Sequence, residues 1–174
     1  MKNSKADNRS RLFRKGDWVV HYQYGPGQVV GREKKIIEGV PVHCYRIETS
    51  DSILWLPEDS EFKSRIRPIA SPTTMRKAIR ILKAPADPMQ SAFHKRRQRI
   101  RDDTLDGSLI TTATLIRDLR GRKGRRSLNE NEMRSLQRLS DRFILEWSLS
   151  LGLPLEEARQ AFNALTLEAQ AKEP

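Results

Sequence analysis

The hydrophobic positions change period near residue 70. Before it, apolar residues alternate or cluster in short runs between turn residues, which is the pattern of strands. Trp18-Val19-Val20-His21-Tyr22 is β-rich, Tyr24-Gly25-Pro26-Gly27 reads as a turn, and 28–32 begins a second strand. Lys34-Lys35-Ile36-Ile37 and residues 40–47 make a hairpin about Glu38-Gly39. Val42, Cys44 and Arg46 fall on one face of its second strand, and His43, Tyr45 and Ile47 on the other. After a turn at Asp51-Ser52 come Ile53-Leu54-Trp55-Leu56 and a short closing strand, Arg65-Ile66-Arg67. Five short strands at this spacing predict a small, strongly bent sheet or barrel.

Beyond Ser71 the period is helical. Ser71-Pro72 is an N-cap and first-turn pair, and Met75, Ala78, Ile79 and Leu82 then share a face. The prolines of 84–88 end that helix, and a basic helix follows to about Leu105, closed by Asp106-Gly107-Ser108. Leu109, Ala113, Ile116 and Leu119 mark another helix, after which 120–126, with Gly121 and Gly124, reads as a basic loop. Asn129 and Glu132 have capping-box spacing, so a long helix starts there with Leu136, Leu139, Phe143 and Trp147 inward. Gly152 and Pro154 separate it from a last helix with Leu155, Ala158, Phe162 and Leu165 inward. The fold class expected is α+β: about five strands, then about five helices.

Charge narrows the function. The net charge is +11 and the isoelectric point near 10.2, which points to a polyanionic partner. The charge is densest at 93–101, where Lys95, Arg96, Arg97, Arg99 and Arg101 put five cations beside Phe93, His94 and Ile100. Such a helix suits phosphates without reading bases, and an aromatic beside it can press against a base step. A solvated basic face, with Phe93 and Ile100 in the core, is the competing assignment. The 120–126 stretch is either a second phosphate contact or a connector.

Catalytic and metal chemistry find no support in the pattern. His21, His43 and His94 carry no acidic cluster or metal-ligand spacing, and neighbouring His43 and Cys44 point to opposite faces of a strand. Asp102 and Asp103 read as a solvated pair. The single cysteine, Cys44, excludes an internal disulfide and reads as a small core residue. No long apolar run or signal-peptide pattern is present, so no membrane partner and a cytoplasmic location are expected. Neither a cofactor nor a small-molecule substrate is called for. Trp147 continues a core stripe, whereas Trp55 is balanced between core and a partner interface.

Several strings, in order, resemble the CarD (CarD/CdnL) family of bacterial transcription regulators. Phe13-Arg14-Lys15-Gly16-Asp17-Trp18-Val19-Val20-His21 with Gly25-Pro26-Gly27 is similar to that family's opening Phe-Lys-x-Gly-Asp-x-Val-Val-Tyr and glycine turn. Leu54-Trp55-Leu56-Pro57 sits at its apolar strand ending in proline, and Arg65-Ile66-Arg67-Pro68 at its closing strand. Ala113-Thr114-Leu115-Ile116-Arg117-Asp118-Leu119 resembles its Ala-Glu-Val-Val-Arg-Asp-Leu, and 128–133 takes the place of its Leu-Ser-x-x-Glu helix start. The resemblance covers 13–162. The related coupling factor of transcription and repair shares the N-terminal module but adds a helicase motor, and this chain has no phosphate-binding loop for one.

The resemblance implies a tudor-like module, 11–69, that binds the RNA polymerase β subunit, and a helical domain, 70–168, that contacts double-stranded promoter DNA upstream of the −10 element and stabilises the open complex. Tails at 1–10 and 169–174 are expected to be disordered and frayed. Polymerase contacts carry over onto Lys35, Ile37 and Trp55. Phe93 falls where the family has a tryptophan wedge, with Lys95 and Arg96 on its basic pair and Arg97 in place of a common aromatic. Phe93 is therefore either a smaller wedge or a core residue, the wedge being favoured. The expectation is a monomeric, non-enzymatic regulator that is nucleoid-associated through polymerase. The alternative is a free-standing RNA- or DNA-binding protein, ribosome- or nucleoid-associated, without polymerase contact, and a third option is an adaptor that binds no nucleic acid.

Overall fold

The computed structural model describes residues 12–59 and 61–170, which divide into two compact units between Pro68 and Ile69. The first contains β1 (Trp18–His21), β2 (Gly25–Ile37), β3 (Val40–Thr49), β4 (Ile53–Pro57), a one-turn helix α1 (Phe62–Arg65) and β5 (Ile66–Pro68). They form one antiparallel sheet in the order β4-β3-β2-β1-β5, so β4 and β5 are its edges among the described residues.

The strand β2 differs from its sequence reading. It runs unbroken from Gly25, where the pattern suggested a turn, to Ile37. The reversal lies earlier, at 22–24, where His21 Nδ1 accepts from the backbone N–H groups of Gln23 and Tyr24. Gly27 has a packing reason: a Cβ there would meet Ile47 Cγ2 at 2.7 Å and the Glu48 carbonyl at 2.9 Å. A register shift between Val29 and Gly31 then bends the strand, as an extra residue in one strand does, so that one long element serves both β1 and β3. The predicted hairpin forms at Glu38-Gly39, with φ of 50° and 80°, as a two-residue primed turn requires.

The core of this unit is Val19, Val29, Tyr45, Ile47, Leu56, Phe62 and Ile66, with Phe13 and Leu54 packed against it. The short helix α1, which the sequence pattern did not predict, puts the Phe62 ring 5.2 Å from that of Tyr45. Tyr45 and Ile47 enter the core as their alternation requires, while His43 is exposed near the strand's start. Cys44 on the opposite face is also fully buried, and burial raises its thiol pKa.

The second unit packs α2 (Pro72–Lys83), α3 (Phe93–Asp106), α4 (Leu109–Arg125), α5 (Glu130–Leu151) and α6 (Leu155–Gln170). Ser71 and Ser108 cap α2 and α4, and Asn129 with Glu132 forms the full capping box of α5. Their apolar stripes meet in one core through Met75, Leu82, Ile116, Leu119, Phe143 and Phe162, among others. Two readings are corrected. Residues 120–125 are the last turns of α4, not a loop; Gly121 is buried there and Arg120 lies over the Phe162 ring, Cζ 4.0 Å from its centroid. Packing thus outweighs the ~1 kcal/mol that each glycine costs inside a helix. Burial pushes Arg120 down to about 10, so it is still a cation at neutral pH. Leu155 is exposed at the start of α6 rather than inward. The terminal residues 1–11 and 171–174, which include most of the expected tails, lie outside the described residues.

Candidate functional site

Two surfaces carry the residues singled out by sequence. On the sheet, Glu33, Lys35 and Ile37 alternate along β2, and the register sets Lys35 opposite Val42 and Arg46 opposite Trp55. The Lys35 ammonium stands 4.6 Å from the Trp55 ring centroid and 3.3 Å from the Glu33 carboxylate. Trp55 Nε1 donates to Glu33 Oε2 at 3.3 Å, and Arg46 approaches the other oxygen at 3.6 Å. The hydrogen bond from Trp55, then that from Lys35, lowers the Glu33 pKa. Trp55 is 44% exposed and stands on β4, an edge strand among the described residues, so this face joins a fixed aromatic and two cations at the margin of the sheet.

Ile37 belongs to the same face and is exposed; its neighbours Ile36 and Val40 at the hairpin tip are more so. Sequence reasoning passed over these two and the organising role of Glu33. The signal was present, since Ile36-Ile37 puts apolar groups on both faces of a strand whose end has no core to cover it.

On α3 the five cations separate into two sets. Arg96 is only 6% exposed. Its Nε donates to Glu132 Oε1 at 2.6 Å, and Nη1 donates to the carbonyls of Gln90, at 3.1 Å, and Ser91. The expectation that Arg96 meets a phosphate is therefore corrected: its guanidinium is spent inside the protein. Arg99 is half-withdrawn, donating to Asp118 at 2.6 Å and Asp103 at 3.2 Å. The fully buried Asp118 also accepts from Arg117 and from the backbone N–H of Asp87, tying the 84–92 segment to α4. Burial alone would raise the Glu132 carboxyl, but hydrogen bonds from Arg96 and the Asn129 backbone bring it below its ordinary value.

What remains outward on α3 is Phe93, His94, Lys95, Arg97 and Arg101, all exposed. Phe93 opens the helix at 49% exposure and is absent from the core, whereas Ile100 packs partly against it. The expected alternative of Phe93 in the core beside Ile100 does not hold. Inward positions follow the helical period from Arg96 through Ile100 to Asp103, so Ile100 was the sequence signal for which arginine turns in.

The remaining candidate groups have local explanations. His21 is buried at the 22–24 turn, and His43 and His94 are exposed. Trp147 lies in the helical core and Trp18 is partly exposed. Among the described residues no cluster of His, Cys, Asp and Glu is arranged to hold a metal, and no helix is long and apolar enough to cross a membrane.

Comparison with known protein families agrees with both units. The model of the CarD-like/TRCF RID domain matches residues 13–70, and that of the CarD C-terminal domain matches residues 77–163. The chain belongs to the CarD family. It is a transcription factor of the type that interacts with RNA polymerase, through the unit that carries the Trp55 face. CarD-like domains belong to a non-enzymatic family. No curated protein matches the chain.

Proposed function

We propose that this protein is a non-enzymatic, monomeric regulator in the bacterial cytoplasm that holds the RNA polymerase β subunit with its sheet and promoter DNA with its basic helix. Lys35, Ile37 and Trp55 form the polymerase contact, where edge strand β4 adds to a partner strand and the flanking side chains set specificity. Phe93, His94, Lys95, Arg97 and Arg101 face the duplex upstream of the −10 element, with Arg99 at the margin. The cations attract phosphates irrespective of sequence, and Phe93 acts as an apolar wedge at the edge of the melted segment. A bound protein shifts the closed–open equilibrium only by binding the open promoter more tightly, and a wedge contact available only in open DNA supplies that difference.

The observation that carries this reading is the division on α3: Arg96 is locked inward, while Phe93 and the cations Lys95, Arg97 and Arg101 are held outward on a braced helix. Promoter opening with purified bacterial polymerase, with and without the protein, tests it. The protein is expected to raise the fraction and lifetime of open promoter. Binding to polymerase without any change in opening would overturn the mechanism.

A further inference from the structure

The helix α3 starts without a cap of its own. A side chain that accepts a first-turn N–H opens each of α2, α4 and α5, whereas Ala92, ahead of Phe93, supplies none. Residues 84–92 form neither helix nor strand, so no backbone ladder places them. Groups from other elements must therefore hold the entry to α3. Asp118, wholly buried on α4, does so on both sides of Phe93. Its Oδ1 accepts from the backbone N–H of Asp87 at 3.0 Å and from Arg117 Nε at 2.8 Å, and its Oδ2 accepts from Arg99 Nη2 at 2.6 Å. Arg117 also donates to the Asp87 carboxylate at 2.5 Å, so Asp87 is held by backbone and side chain together. Phe93 lies six residues from either anchor.

We propose that Asp118 is a positioning residue of the promoter contact, fixing the exposed Phe93 by clamping the chain at Asp87 before it and at Arg99 after it. The inference rests on the reading of Phe93 as a wedge. A buried ion pair adds little net stability over an apolar core, so stability alone is a weak reason for a carboxylate at this place. A fixed geometry is what it supplies. Being fully buried, Asp118 touches no DNA, and its effect on the promoter passes through the placement of α3. A wedge held in place before it meets DNA makes its contact without a further cost of ordering.

A double-mutant cycle on open-promoter lifetime tests the role, with purified bacterial polymerase and the full chain carrying Asp118→Asn, Phe93→Ala or both. Asn keeps the volume of Asp118 but loses its charge and one acceptor oxygen. Asp118→Asn is expected to shorten the lifetime, and the double variant should be no shorter-lived than Phe93→Ala alone. Amide hydrogen exchange over 87–97 should quicken about tenfold in Asp118→Asn while the amides of α5 keep their rate, which a general loss of stability would not produce. If Asp118→Asn does not fold, Arg117→Lys serves, since it keeps the charge and removes the fork that joins Asp87 to Asp118. A Phe93→Ala lifetime equal to that of the wild type would sink the wedge reading, and this inference with it. A Phe93→Ala effect that Asp118→Asn fails to reproduce, or that multiplies in full in the double variant, would overturn the positioning role alone.

Discussion

Arg96 and Arg97 are adjacent, identical in chemistry and opposite in exposure. Arg96 is closed off by Glu132 and two carbonyls, whereas Arg97 is exposed. Breaking a buried ion pair leaves an uncompensated charge, so Arg96→Ala should cost about 3–5 kcal/mol of unfolding free energy. Arg97→Glu with Arg101→Glu should leave stability nearly intact and abolish duplex binding, as removed phosphate contacts require. Chemical denaturation and duplex titration on the same variants check both; a stable Arg96→Ala would remove the bracing role. Residue type alone could not separate the two arginines. The inward one is identified by its spacing from Ile100 and by Glu132, 36 positions away, whose capping-box role was legible but whose second partner was not.

At the level of elements, local signals placed what they could reach. The Ser71-Pro72 start, the Glu38-Gly39 turn, the Gly107 break and the Asn129 capping box each act through nearby backbone, and the structure has all four. The end of α4 was misjudged because its support is tertiary: Arg120 on Phe162 and a buried Gly121 keep residues helical that composition assigns to a loop. The helix α1 was missed because its four residues carry no period, and Phe62 is held by rings from Phe13 and Tyr45. Lys35 and Trp55 are largely exposed and stand outside the core of the sheet, so their replacement should cost the fold little. Lys35→Glu with Trp55→Ala should weaken binding to an isolated polymerase β-subunit lobe while leaving duplex affinity and melting temperature unchanged. Equal loss of both activities would mean that the substitutions had disrupted the sheet instead.

At the scale of the whole molecule, two units of different architecture carry two separate surfaces, as the change of hydrophobic period at residue 70 already indicated. The proposed function requires both: the sheet would bring the protein to polymerase, and α3 would convert that proximity into a preference for melted DNA. That preference would rest on Phe93, which the sequence leaves between wedge and core and which the structure leaves exposed at the start of α3. The most direct measurement is the lifetime of an open promoter complex with Phe93 variants, read alongside their melting temperatures. Phe93→Ala should shorten the lifetime with little change in melting, and Phe93→Trp should lengthen it through greater apolar area and an indole donor. An unchanged lifetime for Phe93→Ala, or a stability loss of about 3–5 kcal/mol as for a buried aromatic, would mean that Phe93 is not a wedge.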